Sequence, residues 1–204
     1  MSLSECDPQD QTFVTEIDHP YFPLPVGHRV ELEGGGLSVR ITVLDETRTI
    51  AGVETQVVEE YEAIDGKVVE ISTNFFAQTS GGTVCYFGEE VDIYDENGDV
   101  TSHSGSWTAD GEGFLPGIFM PASLKVGQAF RQEVAPGIAE DQAKVESLGD
   151  VTEVPAGTFE DTAVMHDRNP LDGSEDTKVY ARGIGLIVDE AAQLTKYTST
   201  AAAP

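Results

Sequence analysis

Basic side chains are scarce in this chain: 11 Lys and Arg stand against 37 Asp and Glu in 204 residues, a formal net charge of −26, and the first of them is Arg29. Affinity for nucleic acid rests on neutralising phosphates with Lys and Arg, so a phosphate backbone is repelled along most of this surface. An anionic bilayer is disfavoured for the same reason. The acids are spread through the whole chain, which reads as a solubilising surface, with attraction of cations or a basic partner as the functional alternative. Long apolar runs are also missing. No stretch approaches the roughly 18 apolar residues of a membrane span, so no transmembrane segment is expected. The start, Met1-Ser2-Leu3-Ser4-Glu5-Cys6, has neither the basic nor the apolar region of a signal peptide and reads as a leader joined to a trimmed mature chain.

Cysteine is nearly absent. Cys6 and Cys85 match no zinc or redox spacing, and two readings stay open: a disulfide pinning the N-terminal arm, or two free thiols. Four histidines, His19, His28, His103 and His166, share no i, i+2 or i, i+4 spacing that would put two on one face. His166 stands beside Asp167, but neighbours on a strand point opposite ways, which argues against a direct pair. No metal ligand set and no cofactor is expected. Helical periodicity is missing as well, apart from Ala139 to Val145, which could form a turn or two and also scans as a strand.

What is present is period-two alternation. Val53, Thr55 and Val57 share a face opposite Glu54, Gln56 and Glu60; Val69, Ile71, Thr73, Phe75 and Ala77 repeat the pattern against Glu70, Ser72 and Asn74. These are half-buried strands. Asp65-Gly66 and Asn97-Gly98 fall between such runs and favour hairpin turns, pairing 53–63 with 67–78 and 83–94 with 99–107. Ile184, Leu186 and Val188 with Leu194 and Lys196 read as a last hairpin. The apolar share of 39% is enough for a core, and all-β units of this length occur as single domains.

The chain also echoes itself. Leu24-Pro-Val-Gly-His-Arg-Val-Glu returns as Leu124-Lys-Val-Gly-Gln-Ala-Phe-Arg; Thr47-Arg-Thr-Ile-Ala-Gly-Val parallels Thr152-Glu-Val-Pro-Ala-Gly-Thr; Phe76-Ala77 parallels Tyr180-Ala181. The expectation is therefore an all-β fold, an antiparallel barrel or two-sheet sandwich of roughly ten strands built from two similar halves. Residues 1–18 form an N-terminal arm and 19–197 a single β domain. Within it half one covers about 19–104, a connector about 105–121 and half two about 122–197; 198–204 is a C-terminal tail.

His19-Pro-Tyr-Phe-Pro-Leu, Phe76-Ala-Gln with Tyr86-Phe-Gly-Glu, Gly105-Ser-Trp, Pro116-Gly-Ile-Phe-Met-Pro, Gln132-Glu-Val-Ala-Pro-Gly-Ile-Ala-Glu-Asp and Tyr180-Ala-Arg-Gly-Ile-Gly-Leu-Ile together span residue 19 to about 190. In these stretches the chain resembles an uncharacterised family of secreted or lipid-anchored proteins found in actinobacteria and proteobacteria, a family with no established activity. The resemblance implies an extracytoplasmic protein, secreted, periplasmic or at the cell surface, with its native signal peptide removed; it implies no chemistry. Cys85 stands where such sequences tend to carry an aromatic, and Asn169-Pro-Leu-Asp-Gly lacks their Glu-Pro-Gly.

Among candidate sites, Asp92-Ile-Tyr-Asp-Glu-Asn-Gly-Asp resembles a calcium ligand set, yet its register is wrong and the later bidentate Glu is missing, so a solvated hairpin tip is the better reading. Glu133, Glu140 and Asp141 could act as paired carboxyls if a cleft brought them together. Trp107, Phe114, Phe119 and Met120 lie in a Gly- and Pro-rich connector that could lid a cavity or plug the core. The candidate ligand-binding residues are Trp107, Phe119, Met120, Glu133, Glu140, Asp141 and Tyr180; no catalytic residue and no metal ligand is assigned. The expected function is non-enzymatic binding, by a monomer, of a small molecule, a lipid-like ligand or a protein partner in the concavity between the halves. The alternatives are a hydrolase using acidic residues, and a structural or cation-binding envelope protein.

Overall fold

The computed structural model describes residues 1–198, and among these the only helical element is a 3-10 turn, Leu3–Cys6. The arm and the first residues of the domain contribute three short strands, β1 (Phe13–Val14), β2 (Asp18–His19) and β3 (Phe22–Pro23). The first meander is β4 (Arg29–Gly34), β5 (Leu37–Ile50), β6 (Val53–Ile64), β7 (Lys67–Thr79) and β8 (Val84–Tyr94), followed by the short β9 (Val100–Ser102), β10 (Trp107–Thr108) and β11 (Gly117–Met120). The second is β12 (Ala129–Arg131), β13 (Gln142–Val154), β14 (Gly157–Arg168), β15 (Glu175–Ala181), β16 (Gly185–Asp189) and β17 (Ala192–Thr198). The ambiguous Ala139 to Val145 stretch thus enters a strand. Beyond Thr198, the last residue of β17, the expected tail lies outside the described residues.

Fifteen strands form one antiparallel sheet in the order β10-β8-β7-β6-β5-β4-β17-β16-β15-β14-β13-β12, with β1, β9 and β11 attached beside it; β2 and β3 pair separately. The Asp65-Gly66 turn forms as the sequence predicts, with both residues at positive φ (50° and 77°), the conformation of a tight hairpin turn. The two meanders meet where β17 pairs with β4.

The barrel expectation needs correction, because the path is open. At its ends β10 and β12 are unpaired with one another: the edge of β8 is taken by short connector strands, and the connector reaches the second meander through Leu115 N–H donating to the Val134 carbonyl at 3.1 Å. A Cβ at Gly117 would lie 1.9 Å from the Gln132 carbonyl oxygen, so only glycine lets the two backbones come this close.

Each Leu-x-Val-Gly turn makes the same three backbone bonds. Gly27 N–H donates to Val43 O, Val43 N–H to His28 O and His28 N–H to Pro25 O; Gly127 donates to Val145, Val145 to Gln128 and Gln128 to Lys125. Each long hairpin is also broken near its middle by register shifts, between Val43 and Thr47 and between Leu148 and Thr152. Side chains cover the carbonyls so released: Gln56 Nε2 donates to Leu44 O and Glu46 O, and Thr162 Oγ1 to Asp150 O.

The arm is fastened by a disulfide. Cys6 and Cys85 are joined across 79 residues with both sulfurs buried, and closing so long a loop is worth about 4–5 kcal/mol by chain entropy. His19 fixes the next segment: its Nε2–H donates to Pro121 O at 3.0 Å while its Nδ1 accepts from Tyr21 N–H at 3.2 Å, so the ring is neutral, and burial holds its pKa below the usual value. That clamp ties the arm to the connector and seats Phe22 under the sheet.

Candidate functional site

Residues of both meanders line a cavity of about 250 Å³ inside the curve of the sheet. Its floor is aromatic. Phe22, Phe76, Tyr86, Phe119 and Tyr180 meet there, with Phe22 4.5 Å from Phe119, Phe76 stacked on Tyr86 at 4.8 Å, and Phe22 edge-on to Tyr180 at 6.4 Å. Its walls are acidic: Glu60, Glu62, Glu70, Glu89, Glu133, Asp141 and Asp167, seven carboxyls against the one Lys178.

Register explains this arrangement strand by strand. On β6 and β7 the even-numbered face, Val58, Glu60 and Glu62 with Glu70, Ser72, Asn74 and Phe76, turns into the cavity, whereas Ile71 and Thr73 look out toward Glu90 and His103. The polar face of a half-buried hairpin is therefore an inner one here, tolerated because it borders a cavity and not packed core. On β8 the register slips between Asn74 and Phe76 on its partner, so Tyr86 and Glu89, three apart, both face inward. Gly88 makes the bulge possible: its φ is 122°, and a Cβ there would meet the Trp107 carbonyl oxygen at 2.2 Å. On β14 and β15 the inward residues are Asp167, Lys178 and Tyr180. His166 points the other way, its Nε2 3.7 Å from Glu175, as strand alternation requires.

Two directly opposed cross-strand pairs carry like charge, Glu62 with Glu70 and Asp167 with Asp176. Such pairs cost stability. Burial pushes Glu60 up to about 8, and Glu62 and Asp167 up to about 7, with neighbouring carboxyls adding to the rise and Lys178 opposing it. Burial first, and then neighbouring carboxyls, raises both Glu89 and Glu133, Glu89 the more strongly. Glu133 Oε2 also accepts from Asp141 N–H at 3.2 Å. Burial works against the Lys178 ammonium, but Asp189, 3.7 Å away, with Asp167 and Asp176, outweighs it and keeps the group charged. One oxygen of Asp141 and one of Asp167 are buried with no hydrogen-bond partner.

Of the candidate residues, Phe119, Glu133, Asp141 and Tyr180 line the cavity. Trp107 packs edge-on against Tyr86 at 5.6 Å from beneath, and Met120 is fully buried in the core. Glu140 turns aside, its Oε1 accepting from Gly137 N–H at 2.8 Å. Asp95, in the stretch that resembles a calcium set, spends its Oδ1 on the backbone N–H groups of Asn97 and Asp99. Sequence reasoning missed Glu60, Glu62, Glu70, Glu89, Asp167 and Lys178; even Glu62 and Glu70, close to the Asp65-Gly66 turn, are brought opposite one another only by a register shift between Glu62 and Ala63. No family model matches the chain, and no curated protein or solved structure does either. Among the described residues no helix is long and apolar enough to cross a membrane, and the buried disulfide is consistent with an extracytoplasmic protein.

Proposed function

We propose that this is an extracytoplasmic, non-enzymatic domain, built from two copies of one meander, that binds a small molecule in the cavity between them. The observation that carries the reading is the cavity itself, an aromatic floor under acidic walls with partnerless buried oxygens. Its volume of about 250 Å³ lies just under the roughly 300–1,000 Å³ of drug-sized sites, which favours a small ligand over a lipid chain. The repeated turn hydrogen bonds support the copying.

The test is a thermal-shift screen of small amines, alcohols and carboxylic acids against the native protein and Ser72→Phe, which fills the cavity from β7. Ligands should raise the melting temperature of the former and not the latter. A library that stabilises neither, or both equally, would sink the reading. An acid–base enzyme is the second reading and draws on the Glu89–Glu133 pair, one carboxyl holding the proton and the other accepting. It predicts turnover of a glycoside or peptide substrate that both Glu89→Gln and Glu133→Gln abolish.

A further inference from the structure

We propose that the cavity's ligand is an organic ammonium compound with an apolar end, its charge among the wall carboxyls with Asp167 foremost and its apolar end against Phe76, Phe119 and Tyr180. The inference rests on the binding reading above and names the ligand's chemistry. Four classes can be weighed. An anion would meet seven carboxyls, and Lys178, the one cation lining the wall among the described residues, is already engaged by Asp189. A neutral molecule would set no positive charge against the opposed carboxyl pairs Glu62–Glu70 and Asp167–Asp176. A metal ion needs donors that converge, and among the described residues no three Asp, Glu, His or Cys side chains are grouped so as to share one. An ammonium group brings three donors on one centre, and a body of carbon behind it covers the aromatic floor.

Asp167 is the decisive group. It is 9% exposed, it lines the cavity, and one of its oxygens has no partner within the protein. The surrounding pattern fits a site kept for a cation: Asp167 opposes Asp176 and Glu62 opposes Glu70, repulsions that an incoming positive charge relieves. Burial raises Glu60 to about 8 and Asp167 to about 7, so near neutrality both carboxyls hold protons for part of the time. An ammonium lets them ionise, so its binding releases protons to the buffer.

Calorimetric titration of the intact, disulfide-bonded protein with 4-phenylbutylamine, 4-phenylbutan-1-ol and 4-phenylbutanoate, at about pH 7 and physiological salt, separates charge from shape. The amine should bind about tenfold or more tighter than the alcohol, with net proton release, and the carboxylate should not bind. Asp167→Asn should weaken the amine about tenfold while leaving the alcohol within about twofold, which also shows that the variant is folded. Glu153→Gln, an exposed acid outside the cavity, should change neither. Alcohol or carboxylate binding as tight as the amine overturns the charge assignment and leaves the cavity reading intact. Equal losses in Asp167→Asn and Glu153→Gln overturn it in favour of general attraction by the acidic surface. Failure of all three probes overturns it too, and the cavity reading then stands or falls on the library screen with Ser72→Phe.

Discussion

The floor and the walls of the cavity are made by the same strands, often by residues two apart, yet they obey opposite rules. Phe76 and Asn74 are neighbours on one face of β7, as are Tyr180 and Lys178 on β15. On the floor, aromatic rings gain by leaving water and by touching one another, so each contributes to stability. On the walls, carboxyls lose hydration, oppose like charges across the ladder and hold protons at pH values where exposed acids would have shed them. The floor adds stability, and the walls take some of it away. A molecule under selection for stability alone has no reason to direct seven carboxyls inward.

That contrast can be broken most directly at the floor. Phe76→Ala should cost about 3–5 kcal/mol in urea unfolding, because Phe76 is 3% exposed and touches Phe22, Tyr86 and Phe119; a loss below about 1 kcal/mol would show that the floor is not a packed unit. Next in size is the clamp beside it. Replacing Cys6 and Cys85 together by Ser should lower stability by about 2–5 kcal/mol, read as a fall in melting temperature of the oxidised native protein against the variant.

The walls should respond with the opposite sign. Since Glu60, Glu62 and Asp167 have pKa values raised above their ordinary ones, the folded state binds more protons than the unfolded state between about 4.5 and about 8, and stability falls as pH rises through that window. His19 acts against this below about 6.5, because its lowered pKa makes protonation favour unfolding. Melting temperature should therefore rise from about pH 9 down to about pH 6; a flat or reversed profile contradicts the wall assignment. Glu60→Gln should raise the melting temperature at about pH 8 by a few degrees, at about 2–4 °C per kcal/mol for a chain of this size. Smallest of all, Glu153→Gln on the outer surface should shift stability by less than about 0.5 kcal/mol.

Much of the fold was legible beforehand. The Asp65-Gly66 hairpin, the last hairpin around Leu186 and Leu194 and the paired Leu-x-Val-Gly turns all depend on local chemistry: positive φ at Gly, period-two alternation and apolar density. The site was legible only in part. Glu133 and Asp141 drew notice because they cluster in sequence, whereas Glu89 was hidden by the bulge at Gly88, which breaks the very periodicity used to read a strand. The face carrying Glu60, Ser72 and Asn74 was misjudged for another reason: alternation says that two faces differ, but not which one is inside.

By itself the sequence determined that the chain would be β-rich, would turn at particular residues and would carry a large excess of acidic side chains, because these follow from short-range sterics and from composition. Only the tertiary structure decided that the sheet stays open, that Cys6 meets Cys85, and that carboxyls from β6, β7, β8, β14 and the approach to β13 line one cavity with Lys178. Those outcomes depend on pairings between residues many positions apart and on bulges that reset register, and neither is encoded in any single stretch of chain.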